Sequence, residues 1–289
     1  MQKWILASRP KTLPAAISPV LVGIALAYRE GSFDPILAIS CILIALLMQI
    51  VANLANDLFD HQKGVDTSER LGPVRVTASG MVKPQHMWFA IGILVIMCLG
   101  LAVNIASQRG TVIYLMGAVI VLAALLYSGG KLAYGYIGLG DVFVFLFFGI
   151  AATTGTYFVL AGKTTLVSIL VAIPPGLLIT NILVVNNIRD RFTDKKTGKR
   201  TLAVLLGRDA MIMEFGVNLL LSFALPVFLV FSGQSGLATL LPLFALPMAR
   251  TNFSDIRKID GKGLNPILGK TANLALVFCL LFGVGLILP

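Results

Sequence analysis

Apolar runs long enough to cross a bilayer alternate with short polar connections along almost the whole chain. A spanning helix needs about 20 mostly apolar residues. Nine stretches approach that length, over residues 13–28, 35–56, 87–106, 111–128, 141–161, 164–187, 211–231, 236–249 and 271–289. The eighth is the weakest, because it is short and contains Pro242 and Pro247. Pro174 and Pro175 predict a kink in the sixth, tolerable in a membrane where neighbours or waters satisfy the freed carbonyls. The pattern predicts an all-α polytopic membrane protein, one domain over residues 1–289. The opening MQKWILASRPKTLPAAISP carries Pro10 and Pro14 and lacks a small-residue cleavage site after a compact apolar stretch, so no removable signal peptide is expected.

Two of these runs end in clusters of Asn and Asp. In the first, Asn53, Asn56, Asp57 and Asp60 stand at i, i+3, i+4 and i+7, one face of a helix that persists to Asp60. In the second, Asn186, Asp190 and Asp194 are four apart and share a face too. Four spans separate the clusters, which suggests an internal repeat: spans 1–4 against spans 5–8, with the ninth left over. An even number of spans gives both units the same orientation, so an axis along the membrane normal would turn the two acidic faces toward each other across a central cavity.

Composition narrows the class. With 57% hydrophobic and only 12% charged residues, the chain is too apolar for an ordinary soluble domain. A net charge of +10 would point a soluble protein toward nucleic acid, but here the basic residues sit in short connections and no nucleic-acid partner is expected. With the N-terminus cytoplasmic, 20 of the 23 Lys and Arg fall on the cytoplasmic side, leaving only Arg29, Arg109 and Lys163 opposite. Both Asn/Asp clusters then open to the cytoplasm. Cys41, Cys98 and Cys279 lie in separate apolar runs without metal-ligand spacing, which suits core packing.

Acids at membrane depth are costly unless they pair or bind cations. Carboxylates with Asn oxygens, and no Cys or second His beside them, suit a hard cation such as Mg²⁺ that keeps waters and shares substrate phosphates; His61 reads as a surface residue. Interleaved bases favour an anionic ligand: Lys63, Arg70 and Arg75 follow the first cluster, and Arg191, Lys195, Lys196, Lys199 and Arg200 the second. Each alone is a topology determinant. Two metal-bearing faces could clamp a diphosphate, and a clamp at the mouth of an apolar cavity suits transfer of a lipid chain, in which the departing diphosphate is stabilised and water is kept from the carbocation.

On these residues the sequence resembles the UbiA superfamily of intramembrane aromatic prenyltransferases, whose nine helices carry Asp-rich motifs of the form NDxxDxxxD and DxxxD. Asn56, Asp57 and Asp60 match the first, and Asp190 and Asp194 the second. Gly64 occupies the place of the third Asp of the first motif, with Asp66 two residues later, an offset that persists to Arg75 and Gly80 and reads as a two-residue insertion. Tyr127 and Lys131 match a Tyr-x-x-x-Lys motif at the end of the fourth span that contacts diphosphate in the family. NLANDxxDxxKGxDxxxRxGPxR, the opening WILASRPKTLPAAISP and NNIRDxxxDxxxGKRTLAVxLG look like the 1,4-dihydroxy-2-naphthoate polyprenyltransferases.

The resemblance implies attachment of an all-trans polyprenyl chain to the naphthoate, with loss of diphosphate and CO₂, giving demethylmenaquinone in an inner membrane. It implies Asp57, Asp60, Asp190 and Asp194 as Mg²⁺ ligands, with Asn53, Asn56, Asn186 and Asp66 completing the shells, and Lys63, Arg70, Tyr127, Lys131, Lys199 and Arg200 on the diphosphate. Asp57 or Asp66 is an alternative for orienting or deprotonating the acceptor. Arg9 and Lys11 are candidates for the acceptor carboxylate, although each also reads as a helix-flanking anchor. Asp141 reads as a helix N-cap, and the stretch GYIGLG before it as a hinge. Other aromatic acceptors, a phytyl donor, or a different class, a secondary transporter, are the competing readings; a transporter site should lie nearer the bilayer midplane. An alcohol phosphatidyltransferase would carry a DGxxAR-type motif, which is absent.

Overall fold

The structure, a computed structural model, describes residues 2–66, 70–131 and 133–288, and every regular element among them is helical. The first span joins α1 (Gln2–Ser8) to α2 (Leu13–Arg29) through a 3-10 turn at Pro10–Thr12. α3 (Pro35–Gln62), α4 (Pro84–Arg109) and the shorter α5 (Val112–Leu126) complete the first unit. The fifth span is composite: α6 (Gly140–Val144), a π-helical stretch Phe145–Ala151, and α7 (Ala152–Ala161). α8 (Leu166–Lys196) and α9 (Leu202–Phe231) follow. The eighth runs as a 3-10 helix, Leu237–Ala245, into α10 (Leu246–Lys258), and α11 (Leu264–Ile287) is the ninth.

The predicted spans are therefore present in order, with differences at their ends. α3 continues to Gln62 and α8 to Lys196, six and nine residues past the predicted ends of their spans, because backbone hydrogen bonding carries the helix on after the continuous apolar pattern has stopped. α9 begins nine residues before the predicted span and is broken at Gly207 (φ 84°). The proline-bearing eighth span winds tightly because Pro242 withholds a donor. α8 runs helically through Pro174 and Pro175, and Ser222 Oγ donates to the Pro174 carbonyl at 3.4 Å. Beside them α8 meets the π-helical stretch at two glycines: a Cβ on Gly149 would lie 2.4 Å from the Gly176 Cα.

Large apolar side chains are exposed along the outer faces, among them Phe89, Ile96, Leu115, Leu220 and Phe231. Such surface is stable only against lipid, and the protein is an integral, multi-pass membrane protein. Inside, Tyr157, Phe215, Phe278 and Phe282 are fully buried in a core shared by α2, α7, α8, α9 and α11. A second core joins α3 and α4 to Val76 and Val82 of their connection. Between the two lies a cavity of about 440 Å³. One face of α3 lines it from Cys41 to Asp60, a run of 20 residues that spans roughly 28 Å of helix axis. The cavity is thus nearly as long as a bilayer core is thick.

Candidate active site

One end of the cavity is polar and the rest is apolar. Asn53, Asn56 and Asp60 of α3 line the polar end, opposite Asn186, Asp190 and Asp194 of α8. The faces expected from spacing therefore do oppose each other, with one exception. Asp57 is buried and lies off the cavity wall: its two carboxylate oxygens accept the backbone N–H groups of Val76 and Thr77, both at 3.0 Å. It fastens the α3–α4 connection to the helix. Asn53 lines the wall but is also engaged, donating to the Ser8 carbonyl (2.9 Å) and Thr12 Oγ1 (3.0 Å).

Asp60 is the hub. Its Oδ2 accepts from Arg75 Nη2 at 2.9 Å, its Oδ1 accepts the Tyr136 hydroxyl, and Lys199 Nζ stands 3.5 Å from Oδ1. The same Lys199 Nζ is 4.0 Å from Asp194 Oδ1, so one ammonium ties the α3 carboxylate to the α8 carboxylate. Lys63 and Lys199 both pack on the Tyr136 ring, 4.2 and 4.5 Å from its centroid. Asn56 accepts from Arg75 and Arg9 and donates to Ser128 Oγ at 2.6 Å. Asp190 is gripped by its neighbour Arg189 through two hydrogen bonds of 2.8 and 2.6 Å. Arg189 reaches on to Asn265 Oδ1, and Asn265 Nδ2 donates to the Leu71 carbonyl, which ties α8 and α11 to the α3–α4 connection.

Other predicted residues sit apart. Asp66 is off the cavity wall, paired with Arg70 and 3.6 Å from Arg75 Nε, with its Oδ2 buried and unpartnered. Burial pushes its carboxyl up to about 6, opposed by Arg70. Arg70 itself lines the cavity mouth. Lys131 and Arg200 are exposed and off the wall; Arg200 contributes only its backbone N–H, to the Tyr136 carbonyl at 2.8 Å. Asp141 is not an N-cap: it lies inside the first turn of α6 and accepts from Asn187 Nδ2 at 3.4 Å.

Tyr127 does line the cavity, as the first of a series of rings. It meets Tyr134 edge-on at 5.3 Å, Tyr134 stacks on Phe143 at 4.3 Å, and Phe143 on Phe147 at 6.0 Å. Tyr136 and Arg189 are central residues to which sequence reasoning gives no role at the site, and Arg75 is one to which it gives only a share in the bases that favour an anionic ligand. Tyr136 sits in the glycine-rich stretch read as a hinge, and an aromatic in a short loop beside an acidic cluster is the signal that marks it. In sequence Arg75 shows only as a base after the first cluster and as part of a motif's end, and Arg189 is hidden beside the acid it grips.

The donor set is carboxylate and amide oxygen, which fits a hard divalent cation. Asp60 and Asp194 already share one positive charge on Lys199. Among the described residues no three His, Cys, Asp or Glu converge on one point. A metal here would therefore complete its shell with water and substrate oxygens, as Mg²⁺ commonly does.

Residues 16–262 match the model of the UbiA prenyltransferase family. A 1,4-dihydroxy-2-naphthoate octaprenyltransferase from Escherichia coli is 37% identical over 297 aligned positions, covering 99% of this chain and 96% of that protein. Among solved structures, a UbiA homolog from Aeropyrum pernix has the same fold (TM-score 0.72, 16% identity, 95% of this chain and 96% of that one). So does a UbiA homolog from Archaeoglobus fulgidus bound to DMAPP and Mg²⁺ (TM-score 0.68, 15% identity, 99% of each chain). A family match running from α2 to the connection just before α11, over both clusters and the cavity between them, leaves one assignment: the chain belongs to the UbiA prenyltransferase family.

Proposed function

We propose that the protein transfers a polyprenyl chain from an all-trans polyprenyl diphosphate to 1,4-dihydroxy-2-naphthoate, with release of diphosphate and CO₂, the whole chain acting as one prenyltransferase domain. The observation that carries this reading is the join within one cavity about as long as a bilayer core is thick: two Asn/Asp faces and their cations at the mouth, and an apolar channel behind them. The name of the Escherichia coli relative, aligned over almost both chains, supports the naphthoate as acceptor. The site belongs at the cytoplasmic surface of the inner membrane, on the side that gathers 20 of the 23 basic residues.

Asp60, Asp190 and Asp194, with the amide oxygens of Asn56 and Asn186, are the residues that would hold Mg²⁺. Bound there, Mg²⁺ supplies charge stabilisation to the departing diphosphate. Lys63, Arg70 and Lys199 take the remaining phosphate charge. Tyr136 keeps Lys63 and Lys199 together on one ring while its hydroxyl fixes Asp60, so the cations are placed before the anion arrives. Arg75, buried against Asn56 and Asp60, positions both.

As the allylic C–O bond breaks, positive charge grows on the first carbons of the chain. Tyr127, Tyr134, Phe143 and Phe147 line the wall, and an aromatic face presented to a desolvated cation attracts it by about 2 kcal/mol. Purified protein given an all-trans polyprenyl diphosphate and a panel of dihydroxynaphthoate, 4-hydroxybenzoate and homogentisate tests the reading. Prenylation of the naphthoate alone, dependent on Mg²⁺, is the expected result. Preference for another acid would retain the chemistry and remove the acceptor assignment.

A further inference from the structure

Arg9 is the one non-glycine among the described residues with positive φ (49°, ψ 69°), at the junction of α1 and the 3-10 turn that opens α2. Left-handed backbone is strained for a side chain with a Cβ and persists where surrounding contacts impose it, often at ligand sites. The contacts that impose it are visible. Asn53 donates to the Ser8 carbonyl and to Thr12 Oγ1, and Gln49 Nε2 donates to Thr12 Oγ1 at 3.3 Å, so the segment on both sides of Arg9 is fastened to α3. The strained residue turns its guanidinium into the cavity wall.

There it has one hydrogen bond, to Asn56 Oδ1 at 3.2 Å, and no carboxylate within ion-pair distance among the described residues. Among the described residues, every other cation that lines this end of the cavity is matched to a carboxylate: Arg70 and Arg75 to Asp66, Arg75 also to Asp60, Lys199 to Asp60 and Asp194, Arg189 to Asp190; Lys63, off the lining, donates to the Ser128 carbonyl at 2.6 Å. A second group points the same way. Gln49 is 8% exposed, lines the cavity, and its Oε1 has no hydrogen-bond partner. Its amide is oriented by its own N–H groups, one toward Thr12 Oγ1 and one toward Asn53 Oδ1.

The depth of these groups assigns them. Asn56, which holds Arg9, is one helical turn below Asp60, and Gln49 is eleven residues below it, roughly 16 Å along α3. Below Gln49 the α3 lining is Met48, Ala45, Ile44 and Cys41. Arg9, at the inner edge of the diphosphate end, and Gln49, at the start of the apolar channel, therefore bracket the stretch in which the reacting carbon of the donor must lie. We infer that this stretch is the acceptor subsite, with Arg9 binding the carboxylate of the aromatic acid and Gln49 Oε1 accepting a ring hydroxyl. Resting on the proposed function, it adds the residues that select a carboxylated, hydroxylated ring.

The test is a KM split in the full-length protein. Arg9→Gln should raise the acceptor KM about 10- to 100-fold, the range expected for losing a charge-assisted hydrogen bond, while the KM for the prenyl diphosphate stays within about twofold. 1-Hydroxy-2-naphthoate should inhibit wild type far better than 1-naphthol, and that ratio should collapse toward one in Arg9→Gln and recover in part in Arg9→Lys. Gln49→Leu should raise the acceptor KM and leave the inhibitor ratio unchanged. A rise in the donor KM with an unchanged acceptor KM would place Arg9 on the diphosphate and overturn the inference; so would an inhibitor ratio unaffected by the substitution. If Arg9→Gln does not yield folded protein, Arg9→Lys is measured the same way. Wild type that prenylates no aromatic acid would remove the proposed function itself, which separates the two failures.

Discussion

α3 and α8 leave the apolar region through similar polar segments, and each ends at a glycine in the left-handed conformation, Gly64 (φ 66°) and Gly198 (φ 80°). The surroundings of the two ends differ. At α3 the 21-residue connection to α4 folds back over the helix end: Asp57 holds it by two backbone N–H groups, and Arg75 returns from it to Asn56 and Asp60. At α8 the connection to α9 is short, Asp190 is neutralised by its own neighbour, and Lys199 reaches across to the α3 side. One acid of the first cluster is thereby taken out of the cavity to hold a loop, while Asn186, Asp190 and Asp194 all stay on the wall. Two similar helix ends perform unequal tasks.

The comparison breaks first at the carboxylates that meet over Lys199. Asp60→Ala and Asp194→Ala should each lower kcat by about 10²–10³, the range for removing a preorganised electrostatic group, and Asp60→Ala should also lower the melting temperature because it strands the buried Arg75. Asp57→Ala should behave differently. It leaves two buried N–H donors without an acceptor, each costing about 1–3 kcal/mol, so the melting temperature should fall and the activity should follow it. Activity lost from Asp57→Ala at unchanged stability would return Asp57 to the set of ligands.

Tyr136→Phe sharpens the contrast on the α3 side. The ring stays for Lys63 and Lys199, and only the hydrogen bond to Asp60 is lost. A bond to a charged group contributes about 1.5–3 kcal/mol, so kcat/KM should drop roughly 10- to 100-fold. Tyr136→Leu should lose more and raise the KM for the diphosphate, because the two ammonium groups then lose their common seat.

Much of this architecture is legible in the sequence, for reasons that stop at the membrane boundary. Within the bilayer every backbone group must be satisfied inside the helix, so apolar runs predict spans, and even the weak eighth appears, wound as a 3-10 helix around Pro242. Spacing four apart predicts the α8 face correctly because that helix continues without interruption to Lys196. Outside the bilayer the pattern loses this constraint. Asp57 sits one position, about 100°, round the helix from Asn56, and only the folded connection decides whether that angle faces the cavity or Val76. Tyr136 and Arg9 depend on loop conformations that periodicity does not encode. The side chains of Lys131 and Arg200 match the expected chemistry but end outside the cavity.

The smallest effect concerns Arg191, one of the bases that alternate with the acids of the second cluster. Its guanidinium turns away from the cavity and forks onto Asp260 with two bonds of 2.6 Å. This hydrogen-bonded pairing holds the Asp260 carboxyl below its usual range. A carboxyl depressed in the folded state stabilises above its unfolded pKa, and that contribution is lost as pH falls through the folded value. The pair is partly exposed, so Arg191→Ala should cost about 0.2–1 kcal/mol at neutral pH, and the difference from wild type should close as the pH drops below the normal Asp range. Prenyl transfer should be unchanged. A basic residue can therefore belong to the second cluster in sequence while tying α8 to the α10–α11 connection in space, and a large loss of activity in Arg191→Ala would put it back on the diphosphate and make the two ends more alike than their geometry indicates.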